Sequence, residues 1–238
     1  MFNRFDGKYG TFLTVILIIA IIAIIGLLAF FGYDMYRKFY TDGNASDVVD
    51  QFENTTKKET KGNTEVENSD TLGDYNPFGD LESMDSNGGG GSGGKKVVKQ
   101  EDYIVVGTIK IAKTKVSYPI LERVTVRSIE IAVATQYWPG IEQGAESVVN
   151  EVGNTVIIGH NYRNGLFFSN NKKLELGDKI QITDSTGRTI NYVVYNKYET
   201  TATDSDYIGR DTGGKREISL STCTDDGNSR LIIWAKEE

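Results

Sequence analysis

An uninterrupted apolar segment near the N-terminus restricts the architecture of this chain more than any other feature. Residues 11–31 read TFLTVILIIAIIAIIGLLAFF, which is 21 residues without a charged side chain. A helix of about 20 apolar residues is long enough to cross the hydrocarbon core of a bilayer, which is roughly 30 Å thick. The segment therefore predicts one transmembrane helix over residues 11–31.

A cleaved signal peptide is the alternative interpretation of this segment. The apolar region of a signal peptide usually has only about 7 to 15 residues and precedes a cleavage site of small residues. Tyr33, Asp34, Met35 and Tyr36 follow the segment here, which favours a retained membrane anchor. Two Lys/Arg residues precede the segment and two follow it closely, so the positive-inside rule leaves its orientation open.

The stretch after the anchor, residues 32–102, has the composition of a juxtamembrane segment and a flexible linker. Residues 41–94 carry twelve Asp/Glu and three lysines and end in the run NGGGGSGG, whereas residues 95–238 hold nineteen charges of each sign. Low apolar content with net negative charge is typical of disordered segments. We therefore expect a disordered linker from about residue 41, with its ends on the order of 40 Å apart. The net charge of −7 argues against a nucleic-acid partner.

Short runs of β-branched and aromatic residues, separated by turn formers, dominate residues 103–238. Such runs predict strands, and the sequence Asp-Ser-Thr-Gly at 184–187 predicts a hairpin turn between two of them. Residues 127–137 fit a helix or a strand. The pattern favours a mainly β domain, a closed or nearly closed barrel with short helices in its connections. The predicted strands are 103–113, 116–121, 154–159, 179–183, 189–199, 217–223 and 230–236.

The chain has one cysteine and one histidine, and each stands at the end of a strand-like run. These counts exclude an intrachain disulfide and a zinc site of three or four Cys/His ligands. Cys223 and His160 would face the mouth of the barrel, where a thiol and an imidazole can act as nucleophile and acid/base in acyl transfer. Arg230 opens the next strand, and a return of seven residues would bring its guanidinium beside the sulfur to bind a carbonyl or an oxyanion.

Each of these three residues also has a structural interpretation. A lone cysteine is often a small buried apolar residue, and a lone histidine or arginine is often a surface residue. A free thiol in an extracellular domain is open to oxidation, which favours a functional role for it.

With these motifs the chain resembles the sortases, which are membrane-anchored cysteine transpeptidases of Gram-positive bacteria. The segment GNTVIIGHN (153–161) is similar to the family's histidine motif, SLSTC (219–223) to its Thr-Leu-x-Thr-Cys motif, and RLIIWAK (230–236) to its arginine-bearing last strand. The resemblance covers residues 103–238 and implies a catalytic barrel of eight strands. It also implies that residues 1–10 are cytoplasmic and that the catalytic domain of this single-pass membrane protein is extracellular.

The resemblance further implies a reaction, its residues and its partners. Cys223 would be the nucleophile, His160 the acid and then the base, Arg230 the carbonyl or oxyanion ligand, and Thr222 a wall of the peptide groove. The family cuts an LPxTG-like sorting signal between Thr and Gly, holds the protein as a thioester and passes it to an amine. The partners would be surface proteins or pilins that bear the signal, and an acceptor such as a peptidoglycan precursor or a pilin lysine. Neither a cofactor nor a metal is predicted.

Several alternatives remain open from the residues alone. The subclass is open, because GHN and STCT resemble class B whereas the 62 residues between His160 and Cys223 are few for the extra helix of that class. Asp225 and Asp226 could tune the histidine or form a solvated turn. A thiol hydrolase of peptidoglycan stems and an L,D-transpeptidase are competing enzymes, although the latter usually has Ser-x-Gly-Cys where this chain has Thr222. A tethered β-barrel adhesin or scaffold without chemistry is the competing non-enzyme.

Overall fold

The structure is a computed structural model that describes residues 8–62, 97–141 and 149–238. Most of the predicted cytoplasmic segment 1–10 and the glycine-rich run lie outside these residues. The helices of the described part are α1 (Lys8–Gly62) and α2 (Val126–Ile131). Its strands are β1 (Lys99–Gln100), β2 (Tyr103–Ile111), β3 (Val116–Leu121), β4 (Val133–Tyr137), β5 (Gly153–Ile158), β6 (Lys179–Asp184), β7 (Thr189–Thr201), β8 (Arg216–Cys223) and β9 (Ser229–Glu237).

Strands β2 to β9 close into a barrel of eight strands, which confirms the predicted fold. Their order is β2-β3-β4-β5-β8-β9-β7-β6, and β6 pairs back with β2 to complete the circle. The pairs β3–β4 and β5–β8 are parallel, and the other pairs are antiparallel. All seven predicted strands are present to within two residues at each end. The short β1 pairs with β2 at the edge of the barrel.

Residues 127–137, which fitted a helix or a strand in the sequence, contain parts of both. The side chain of Thr125 accepts a hydrogen bond from the backbone N of Ser128, and Ser128 Oγ accepts one from the backbone N of Thr125. This reciprocal cap satisfies two of the free N–H groups at a helix start and therefore begins α2. Strand β4 follows immediately and supplies the eighth strand of the barrel.

Side-chain alternation along β8 and β9 separates the barrel interior from its outer face. Ile218, Leu220 and Ile233 point inward and belong to the main hydrophobic core. Ser221, which follows Leu220 on β8, faces outward. Tyr207 covers it there, and the Tyr207 hydroxyl lies 3.3 Å from Ser221 Oγ. Tyr207 therefore covers part of the outer face of the β5–β8–β9 region, and the ends of these three strands remain accessible.

The apolar part of α1 agrees with the predicted anchor. Its side chains from 12 to 31 are all exposed, and the helix is long and apolar enough to cross a membrane. Because so large an exposed apolar surface is unfavourable in water, this part of α1 is a candidate membrane span.

The linker prediction is wrong for residues 41–62, because α1 continues without interruption to Gly62. Ala45, Val49, Phe52 and Thr56 are 0%, 2%, 2% and 5% exposed, and α1 lies against β2 and β3. These four residues recur every three or four positions and so form one face of a helix. The prediction rested on the low apolar content of the whole stretch, yet one such stripe is sufficient for the helix to pack on the barrel. Residues 63–96 of the predicted linker lie outside the described residues.

Candidate active site

Cys223 and Arg230 face each other across the hairpin that joins β8 and β9. They are register partners, and Arg230 Nη1 donates a hydrogen bond to Cys223 Sγ over 3.0 Å. The turn between them is closed by a hydrogen bond from the backbone N of Thr224 to the carbonyl of Ser229, at 3.0 Å. The structure therefore brings the predicted cysteine and arginine into direct contact.

His160 leaves the barrel at the same end, because it follows the parallel neighbour of β8. The backbone N of Gly159 donates to the carbonyl of Ser221 over 3.2 Å, so β5 and β8 remain paired up to the residue before the histidine. Immediately after the histidine, Asn161 Nδ2 donates to the carbonyl of Cys223 over 3.0 Å. The histidine, cysteine and arginine thus stand at the ends of three adjacent strands.

A glycine is required before His160 because an aromatic ring packs against its backbone. A Cβ at position 159 would lie 2.8 Å from the ring of Phe168 and 3.0 Å from Val133 Cγ1, both too close for a side chain. The backbone N of Phe168 also donates to the carbonyl of His160 over 3.1 Å. Gly159 therefore allows the chain to return across the strand end and fix the backbone of the histidine.

The imidazole of His160 is half-buried and packs on the ring of Tyr162, with centroids 4.7 Å apart and planes inclined by 34°. Within the described part of the chain, no hydrogen bond to its ring nitrogens contributes to its titration. Burial lowers the pKa of His160 from its ordinary value, Glu130 partly opposes this, and Arg37 adds to it. The imidazole is accordingly mostly neutral near pH 7.

Thr222, which the resemblance assigns to the peptide groove, is a buried residue directly before Cys223. Thr222 is only 4% exposed, and it lines a cavity of about 120 Å³ together with Cys223, Phe168 and Leu231. Pockets for small organic ligands usually have roughly 300 to 1,000 Å³. This cavity alone is therefore smaller than a peptide site, and the role of Thr222 in lining the peptide groove stays a prediction. Among the described residues, no group of three or more His, Cys, Asp or Glu side chains could hold a metal ion.

Asp225 anchors the turn after the cysteine, and the pKa of the histidine does not depend on it. It accepts hydrogen bonds from Lys172 and, over 2.9 Å, from Asn161, and these bonds lower its pKa. Asp226 accepts hydrogen bonds from its own turn. Asn161, which the sequence analysis did not single out, therefore joins the histidine segment to both Cys223 and Asp225. Its place directly after the histidine in GHN is the signal that could have identified it.

The carboxy-terminal part of the chain is similar to a known protein family and to solved structures. The family model described as Sortase domain matches residues 109–238. A sortase D5 transpeptidase from Clostridium perfringens is 30% identical, with a TM-score of 0.48 and coverage of 56% of this chain and 79% of that chain. A lid mutant of sortase A from Corynebacterium diphtheriae is 25% identical, with a TM-score of 0.49 and coverage of 57% and 71%. A search of curated proteins finds no match.

Proposed function

Since this chain belongs to the sortase family, we propose that it cleaves an LPxTG-like sorting signal through a thioester on Cys223 and joins the signal-bearing protein to an amine. The proposed residues are Cys223 as nucleophile, His160 as acid and base, and Arg230 as the ligand of the carbonyl oxygen. Thr222 is proposed to line the peptide groove beside the cysteine.

The observation that carries this proposal is the contact of 3.0 Å between Arg230 Nη1 and Cys223 Sγ, beside the strand that leads to His160. A positively charged donor next to a sulfur stabilises its thiolate, which is the reactive form of cysteine. A guanidinium carries five N–H donors, so others remain for a carbonyl oxygen that approaches the sulfur. Oriented donors of this kind stabilise the oxyanion of an acyl-transfer transition state.

In the proposed reaction, Sγ of Cys223 attacks the carbonyl carbon of the threonine in the sorting signal. The bond from this carbon to the glycine nitrogen breaks, and His160 gives its proton to the leaving amine. The acyl group is then held as a thioester. The incoming amine attacks the thioester carbonyl, loses a proton to His160, and the carbon–sulfur bond breaks to release the thiolate.

The first step requires a protonated imidazole, and burial lowers the pKa of His160. The protonated form therefore declines at a lower pH than for an ordinary histidine. We expect the rate of acylation to fall as the pH rises through this lowered pKa.

We further propose that residues 11–31 anchor the chain in the cell membrane and that the barrel is extracellular. The exposed apolar part of α1 supports the anchor. The partners would then be surface proteins or pilins with a sorting signal, and an amine acceptor such as a peptidoglycan precursor.

The test is to trap the acyl-enzyme. The full chain is incubated with a panel of LPxTG-like peptides, and the mass of the intact protein is measured with and without a small amine acceptor. We expect a thioester adduct on the wild-type chain and a ligated peptide when the amine is added. Cys223→Ala should form neither, and because Cys223 lies outside the core its loss should leave the thermal unfolding temperature nearly unchanged.

Lys57→Gln is the matched control, because Lys57 is an exposed side chain on α1 that pairs only with Glu53 in the described part of the chain. It should react as the wild type does. Hydrolysis without ligation would favour the peptidoglycan hydrolase, and identical spectra for the wild type and Cys223→Ala would favour the scaffold without chemistry.

A further inference from the structure

The juxtamembrane half of α1 is attached to the barrel by polar contacts as well as by its apolar stripe. The hydroxyl of Tyr118 on β3 donates to Asp42 over 2.7 Å, and Lys110 on β2 forms an ion pair of 2.5 Å with Glu53. These contacts lie on two sides of the buried Ala45 and Val49. The helix therefore has a defined position on the barrel.

The start of this juxtamembrane half reaches the loop that follows the histidine, residues 161–167, which we call the histidine loop. Lys38 Nζ donates to the carbonyl of Asn164 over 3.0 Å. Gly165 has a φ of +95°, and a Cβ there would lie 3.3 Å from Lys38 Nζ, so the loop and the helix approach closely at a glycine. The histidine loop is thus held between the barrel and α1.

Arg37 makes the contact that leads to the histidine. Its Cζ lies 4.8 Å from the centre of the Tyr162 ring, and the other neighbours of that ring are His160 at 4.7 Å and Phe167 at 5.8 Å. A guanidinium within about 6 Å of an aromatic centroid is attracted to the ring. Arg37, Tyr162 and His160 therefore form one continuous series of contacts from the membrane helix to the candidate active site.

We propose that Arg37 is a positioning residue of this active site: its guanidinium holds Tyr162 against the imidazole of His160 and so fixes the orientation of that imidazole. A histidine that transfers protons is usually oriented by a hydrogen bond to its second nitrogen. Among the described residues none forms such a bond with the imidazole of His160, so packing on Tyr162 is what orients the ring. The kinetic part of this inference rests on the proposed function, whereas the contact itself does not.

The charges around His160 give this contact a second effect. Glu130 from α2 favours the imidazolium, and Arg37 from α1 disfavours it. Tyr162, the neighbouring titratable group on the histidine loop, has its own pKa raised by burial. Removal of Arg37 therefore takes away one of the two effects that lower the pKa of His160, leaves burial as the other, and should raise that pKa.

The test uses the full chain in nanodiscs and reads His160 directly, because it is the only histidine in the sequence. The imidazole carbon-bound protons are followed by NMR as the pH is varied, in the wild type and in Arg37→Gln. We expect the pKa of His160 to rise in Arg37→Gln and its resonances to lose part of the shift caused by the Tyr162 ring. We expect kcat/KM for a sorting-signal peptide to fall by roughly two- to thirty-fold, which is the range for a lost cation–π contact.

Three further variants separate this role from a general effect on the fold. Arg37→Lys keeps the cation and should retain most of the wild-type spectrum. Tyr162→Phe keeps the ring and should retain its packing on His160, whereas Tyr162→Leu should reproduce the loss of ring shift. Lys57→Gln removes one charge from the same helix about 30 Å from Arg37 along the axis and should change nothing.

The NMR spectra test the positioning role and the kinetics test the proposed function, so each can be refuted without the other. If His160 titrates and resonates in Arg37→Gln as it does in the wild type, the positioning role is wrong, whatever the activity. If the spectra change as expected but the wild-type chain turns over no sorting-signal peptide, the contact stands and the proposed function is wrong.

Discussion

A helical insertion of seven residues between Tyr33 and Asp34 should lift the barrel from the membrane by about 10 Å, because an α-helix rises about 1.5 Å per residue. Helix α1 runs without interruption from the apolar segment to its contacts with the barrel. Arg37 follows the last apolar residue, Phe31, by six positions, which places the contact with Tyr162 about 9 Å further along the axis. Seven residues complete nearly two turns, so the barrel would keep nearly the same rotational orientation about the axis of the apolar segment.

A flexible linker predicts a different result for the same insertion. The root-mean-square length of a disordered chain grows with the square root of its residue number. Lengthening a linker of about 60 residues by seven would therefore move the barrel by only about 2 Å. The two expectations differ roughly five-fold.

The distance can be measured through Cys223, because it is the only cysteine in the chain and is partly exposed. A fluorescent donor is attached to this thiol, the protein is placed in nanodiscs, and energy transfer to acceptor-labelled lipids gives the height above the bilayer. We expect an increase of about 10 Å for alanine-, glutamate- and lysine-rich insertions after Tyr33.

The same seven residues inserted after Gly62 provide the control. This position follows the contacts of α1 with the barrel, so the height should remain that of the wild type. Equal heights for the wild type and for the insertion after Tyr33 would refute the rigid connection and restore the flexible one.

One buried ion pair and one buried carboxylate give further predictions. Arg210 donates to the buried carboxylate of Glu217 over 2.5 Å, so Arg210→Ala should lower the free energy of unfolding by roughly 3 to 5 kcal/mol, measured in urea. Replacement of both residues by apolar ones should recover most of this loss. Burial alone would raise the pKa of Asp184, but hydrogen bonds from Thr186 and Arg188 outweigh it and lower the pKa. Its contribution is therefore complete above about pH 4, the unfolded pKa, and is lost as the pH falls through the lower folded value, so Asp184→Asn should flatten the acid limb of the urea stability profile.

The strands of the barrel could be predicted because their apolar residues alternate within short runs bounded by turn formers. Gly187, with a φ of +82°, occupies the predicted hairpin turn, and its N donates to the carbonyl of Asp184. The sequence pattern did not distinguish strand β4 from a helix, because α2 and β4 follow each other within twelve residues. Neither the helical nor the strand periodicity extends far enough there to dominate. The cap formed by Thr125 and Ser128 was a readable signal for the helix start.

The cysteine and arginine could be predicted as a pair because they flank one hairpin. The strand-end position of His160 predicts its place at the mouth of the barrel, but its nearness to the pair depends on the parallel pairing of β5 with β8, which no local pattern encodes. The contact of Arg37 with Tyr162 joins residues that are 125 positions apart. The low average apolar content of the predicted linker also hid the four buried residues that attach α1 to the barrel.

The division of β8 into two faces explains how this end of the barrel can hold a reactive group without weakening the fold. Ile218 and Leu220 point into the core, whereas Cys223 lies at the strand end and is only partly buried. The position of the sulfur is fixed from outside the core, by the Arg230 guanidinium on the side chain and by the Asn161 amide on the backbone carbonyl. Because neither contact uses the core, substitutions at these three positions should change the chemistry of the thiol much more than the stability of the barrel.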